Sequence, residues 1–151
     1  MSEPLYLEDV TVGTRFTGGP VTLTPEAVKE FAAQFDPQPF HLDEAAGKAS
    51  FFGGLAASGW HTAALTMRML VTGGPPFASG YIGAGADVAW TQPVHAGDTL
   101  SVQVEVTDVK PSRSRPERGF VHLRVETRNQ REEIVQVLTT RVLVPRRNVS
   151  Q

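Results

Sequence analysis

The segment Asp36-Pro37-Gln38-Pro39-Phe40-His41 sets a carboxylate and an imidazole near each other, with two prolines between them. Each proline fixes one φ angle and removes one amide donor, so the segment is expected to be extended or looped, and stiff. Two titratable groups held on rigid backbone are what general acid–base chemistry requires. The same residues also suit a plain turn in which Asp36 caps the chain and His41 is a satisfied loop histidine. Spacing alone leaves both readings open.

The other candidates are weaker. Ser58 and His61 could pair as nucleophile and base, but they share one helical turn with no orienting carboxylate in view. His61 reads better as filling a polar gap beside a helix start. His95 falls in a turn and His122 on the outward parity of a strand, so both are expected to be solvated. The histidines lack a close ligand pair and the chain has no cysteine, so no metal site, disulfide or cysteine nucleophile is expected. The glycine pairs match neither phosphate-loop pattern. Lys110, Arg113, Arg115 and Arg118 form a basic connection that suits either a solvated hairpin or the phosphates of coenzyme A. Trp60 and Phe77 read as core or pocket wall. Asn148-Val149-Ser150 formally matches a glycosylation sequence.

Two helices would position these groups. Thr24-Pro25-Glu26 supplies a hydroxyl cap, a proline at the first helical position and a carboxylate at the positive end. Val28, Phe31, Ala32 and Phe35 then form one apolar stripe, and Pro37 stops the helix. Asp43 is placed to cap a short helical turn after His41. The second long helix, about Ser58 to Thr72, is apolar nearly all round with Arg68 its one formal charge, which predicts an enclosed rod. Leu100 to Val106 and Val121 to Val125 alternate as half-buried strands. Ile134 to Val144 is apolar on both parities, as in a central strand. Gly80 to Trp90 is a further strand, with Gly83 and Gly85 suited to close approach of another backbone. About five strands wrapped around one enclosed helix give an α+β architecture, and the open sheet edges favour pairing with a second copy.

With 151 residues, 40% of them hydrophobic, the chain fits one domain spanning residues 1–151. The net charge of −2 gives no electrostatic case for a nucleic-acid partner. No stretch reads as a signal peptide or membrane span, so a cytoplasmic location is expected.

Asp36-x-Gln38-Pro39-x-His41 resembles the Asp-x-Asn-Pro-x-His signature of the MaoC-like dehydratases, which include the (R)-specific enoyl-CoA hydratases. Phe52 to Gly59 resembles that family's entry into its central helix, and Pro93-Val94-His95-Ala96-Gly97-Asp98-Thr99-Leu100 its turn before the third strand. Thr127 to Gln130, followed by Val135, resembles its last hairpin, so the likeness runs from about Val10 to Val144. It implies a hotdog fold assembled as dimers or higher homo-oligomers. It also implies reversible addition of water to a trans-2-enoyl thioester. Asp36 and His41 would activate the water, without metal or redox cofactor and with coenzyme A entering as part of the substrate. Gly59 at the helix start is the candidate donor to the thioester oxygen, its missing Cβ admitting the substrate. Gln38 stands where the family has Asn, and Ser58 where it commonly has His; both are candidate substrate-binding positions. An acyl-CoA thioesterase and a non-catalytic acyl-CoA-binding subunit are the alternatives the same architecture allows.

Overall fold

The computed structural model describes residues 3–147, so the Asn148-Val149-Ser150 sequence lies outside the described residues. Five antiparallel strands form one curved sheet: β1 (Arg15–Thr22), β2 (Ile82–Trp90), β3 (Thr99–Pro111), β4 (Arg118–Arg128) and β5 (Ile134–Pro145), in the order β1-β3-β4-β5-β2. Among the described residues a short 3-10 helix (Leu7–Asp9) and four α-helices accompany them: α1 (Pro25–Phe35), α2 (Pro39–Leu42), α3 (Glu44–Ala49) and the long α4 (Gly59–Gly73). This is the hotdog arrangement, a curved sheet laid around one long helix.

Alternation decides which face of the sheet meets α4. Leu100, Val102, Val104 and Val106 of β3 and Val121, Leu123 and Val125 of β4 are buried in one cluster with Met69 and Leu70 of α4. Each such side chain is worth roughly 1.5–3 kcal/mol of transfer free energy, and slipping one residue would expose the whole set. β5 lies between β4 and β2, as its two-sided apolar pattern requires. The fifth strand, β1, carries Gly18-Gly19-Pro20, which reads as punctuation in the sequence. Proline is tolerated there because β1 is an edge strand, and Gly18 is needed because a Cβ on it would lie 2.6 Å from the Met69 carbonyl of α4.

Several expectations are corrected. The central helix is not enclosed by its own chain. The sheet covers one side only, and Trp60, Met67 and Val71 stand exposed along the other. Trp60 is therefore neither core nor buried wall, whereas Phe77 is in the core. Phe35, expected on the buried stripe of α1, is 67% exposed at the last residue of the helix, while Val28 and Ala32 are fully buried. Gly83 has open space around it, and Gly85 faces the Arg141 guanidinium rather than another backbone. The double-proline segment is not wholly non-helical: Pro39 opens α2, since proline at the first position of a helix removes an amide that would have been unpaired anyway.

Candidate functional site

Each catalytic candidate is fixed by a helix end. Thr24 caps α1 by accepting the Ala27 amide at 3.1 Å, and the helix delivers Asp36 at its C-cap, where the Asp36 amide still donates to the Ala32 carbonyl. Pro37 turns the chain, Pro39 starts α2, and His41 follows within that single turn. Asp43 then caps α3 through the Ala46 amide. Ser58 caps α4 by accepting the Trp60 amide at 3.2 Å.

These elements bring together four of the five sequence candidates around one carboxylate. Asp36 Oδ1 accepts from Gln38 Nε2 at 2.5 Å. Its Oδ2 accepts from Ser58 Oγ at 2.7 Å and lies 3.3 Å from His41 Nε2. The His41 ring is buried, and its Nδ1 sits 2.6 Å from the Ala56 carbonyl oxygen. A carbonyl can only accept, so Nδ1 carries a proton and Nε2 is the atom turned toward Asp36 and the pocket. Burial pushes the Asp36 carboxyl upward, but the bonds from Ser58 and Gln38 and the neighbouring His41 outweigh it and hold the group below the usual carboxylate range. Asp36 is thus an ionised acceptor with every strong donor accounted for.

The fifth candidate, Gly59, is the first residue of α4, and its N–H donates to no group among the described residues. Helix starts leave such amides free and carry positive dipole charge. Its lack of a Cβ has a different cause from the one expected. A Cβ there would lie 2.6–3.0 Å from the indole ring of Trp90, so the space is filled by protein rather than left for substrate. Gly59 and His41 share one pocket of about 460 Å³ whose wall includes Phe40, Phe51, Phe52 and Trp90. A mostly apolar cleft with a few convergent polar groups is the usual form of a small-molecule site.

The remaining histidines lie outside it. His61 is buried and stacked on Phe31, with centroids 4.6 Å apart and planes 6° from parallel. Its Nδ1 has no partner, and Ser58 bonds to Asp36 instead, so no Ser58–His61 pair forms. His95 is not solvated: it is half-buried, with Nε2 2.8 Å from the Phe52 carbonyl, and so fastens the turn to the pocket wall. His122 lies half-buried on the outer face of the sheet. The basic connection beyond Lys110 sits at the far end of β3, roughly 40 Å along the strand from Thr99 at about 3.3 Å per residue, and does not reach this chain's own pocket.

A family model described as a MaoC like domain matches residues 9–130. The chain belongs to the MaoC-like family. It is 53% identical to the MaoC-like dehydratase from Rhodospirillum rubrum, whose crystal structure superposes with a TM-score of 0.93 over 96% of this chain and 99% of that one. It is 25% identical to the unliganded R-hydratase PhaJ1 from Pseudomonas aeruginosa, with a TM-score of 0.76 over 98% and 93% of the two chains. It is also 32% identical to the uncharacterized protein YdeM of Bacillus subtilis (strain 168), over 85% of this chain and 90% of that one. No helix of this MaoC-like chain is long and apolar enough to cross a membrane among the described residues. Two parts of its site had no signal in the sequence: the Ala56 carbonyl, which is backbone, and Trp90, which belongs to a strand far from the motif.

Proposed function

We propose that the chain is a hydro-lyase acting on trans-2-enoyl or 3-hydroxyacyl thioesters of coenzyme A. The observation that carries the reading is His41, which lines one apolar pocket together with Gly59, whose N–H is unpaired among the described residues, while His41 Nε2 lies 3.3 Å from Asp36 Oδ2 behind it. A water bonded to both side chains would lose a proton to His41 Nε2, the ring nitrogen left without a proton by the Ala56 carbonyl bond, because the donors held on Asp36 make its carboxylate the weaker base. The hydroxide adds to C3, the double-bond electrons move onto the thioester oxygen, and Gly59 N–H stabilises that developing charge. The imidazolium then returns its proton to C2, which balances the addition. Asp36 orients the water and offsets the imidazolium charge throughout. These proton transfers call on no metal or redox group, and the active form works in the cytoplasm.

The exposed apolar line of Trp60, Met67 and Val71 and the open edge of β2 suit a second copy of the chain, so the active form is a homodimer or higher homo-oligomer. The deciding experiment follows enoyl absorbance with crotonyl-CoA and longer enoyl-CoAs. Asp36→Asn and His41→Ala are each expected to lower kcat by two orders of magnitude or more with the fold intact by circular dichroism. Full turnover in either folded variant refutes the mechanism, and thiol release from a saturated acyl-CoA by a protein that leaves enoyl-CoA absorbance unchanged would select hydrolysis instead.

A further inference from the structure

Trp90 is the last residue of β2, and its indole is held from inside the core. Its Nε1–H donates to Gln136 Oε1 at 3.0 Å. An indole N–H can only donate, so this bond fixes which end of the Gln136 amide faces Trp90. The amide nitrogen then points inward and donates to Thr66 Oγ1 at 3.0 Å, and Thr66 Oγ1 lies 2.6 Å from Thr127 Oγ1. The pairing register explains the row: Trp90 is opposite Gln136 in the β2–β5 ladder, and Gln136 is opposite Thr127 in the β4–β5 ladder. Thr66 comes down from α4 onto that row.

Gln136, Thr66 and Thr127 are fully buried. Burying an amide and two hydroxyls in an apolar core is unfavourable unless all are bonded. The end of this chain of bonds that reaches the pocket is Trp90. There the ring fills the place of a Gly59 side chain, next to the amide that would hold a thioester carbonyl. An acyl chain leaving that carbonyl would meet the indole within its first few carbons.

We propose that Trp90 is a specificity-determining residue: its indole, held by Gln136, closes the acyl side of the pocket and restricts it to short acyl groups. This rests on the acyl-thioester reading of the site. The test uses saturated butanoyl-CoA and dodecanoyl-CoA, which cannot be hydrated, and measures both dissociation constants by calorimetry. Trp90→Ala is expected to raise the preference for the longer chain about tenfold, since each further buried methylene is worth roughly fourfold in affinity. Gln136→Leu keeps the ring but frees it, and should move the ratio the same way by a smaller factor. Trp90→Leu serves in the same comparison where Trp90→Ala does not fold.

A ratio within twofold of the parent protein in the Trp90 variant overturns the proposal. A change with Trp90 but none with Gln136→Leu overturns the part assigned to Gln136. A shifted ratio in a protein that hydrates no enoyl-CoA sinks the hydratase reading and leaves this one standing. An unshifted ratio in a protein that does hydrate has the opposite meaning, and failure of both thioesters to bind sinks both.

Discussion

Replacing Ser58 by Ala removes one hydroxyl with two jobs. As the cap of α4 it accepts the Trp60 amide, a contact worth about 1 kcal/mol. As a donor it holds Asp36 Oδ2 at 2.7 Å, and a bond to an ionised acceptor is worth about 1.5–3 kcal/mol. Ser58 is fully buried, so water does not replace the lost donor. At pH 7 the cost is therefore about 2.5–4 kcal/mol in urea unfolding. The two parts separate by pH. Asp36 has its folded pKa depressed, so its contribution is present above the unfolded carboxylate value of about 3.9 and is lost as pH falls through the folded one. The gap between Ser58→Ala and the parent should shrink on acidification toward the capping part alone. Ser58→Gly separates the jobs differently, because glycine is a tolerated cap and costs only a few tenths of a kcal/mol in that role. It should still lose the carboxylate bond. A loss at pH 7 below 1 kcal/mol, or a gap between Ser58→Ala and the parent that does not shrink on acidification, refutes the claim that Ser58 stabilises the Asp36 carboxylate.

Two further outcomes follow from other parts of the molecule. Burial lowers the pKa of His61, whose Nδ1 has no partner, so its stabilising neutrality is complete above about pH 6.5 and is lost as pH falls toward the folded value, at up to about 1.4 kcal/mol per unit; His61→Phe, stacked on Phe31 in its place, should remove that part of the acid sensitivity in urea titrations at pH 7 and 5. The apolar line on α4 predicts a sedimentation mass of at least two chains at micromolar concentration, and Met67→Glu with Val71→Glu should return it to one.

The sequence shows much of this fold because its signals are local. Alternation in β3 and β4, the Thr24 and Asp43 caps and the two-sided apolar run of β5 each depend on a few adjacent residues, and each is found where that logic puts it. The misread elements have non-local causes. β1 looks like broken chain because its glycines answer to α4, fifty or more residues away at Met69. Phe35 and Trp60 look like core because apolar periodicity cannot say how far the sheet extends. In the site, Asp36 and His41 are legible as a pair because stiff backbone separates them. Ser58's bond to Asp36 is not, since Oγ and carboxylate come from different helices.

Gly59 lines the pocket, but the space beside it has a different cause from the one its sequence suggests. A glycine at a helix start suggests backbone left bare for a ligand, but here a ring from β2 occupies the missing side chain's place. The free amide and the absent Cβ are thus separate features: the amide has no acceptor among the described residues, and the place of the Cβ is filled by Trp90. The two are coupled because the same ring also walls the pocket. Its position depends on Gln136, and through Gln136 on Thr66, two helical turns below the cap that Ser58 provides. The helix is therefore tied to the candidate site at both points, by Ser58 to the Asp36 carboxylate and by Thr66, through Gln136, to the pocket wall. Sliding α4 along the sheet would disturb the Asp36 contact and the pocket wall together, which gives the fold a physical reason to keep a fully buried amide in an otherwise apolar core.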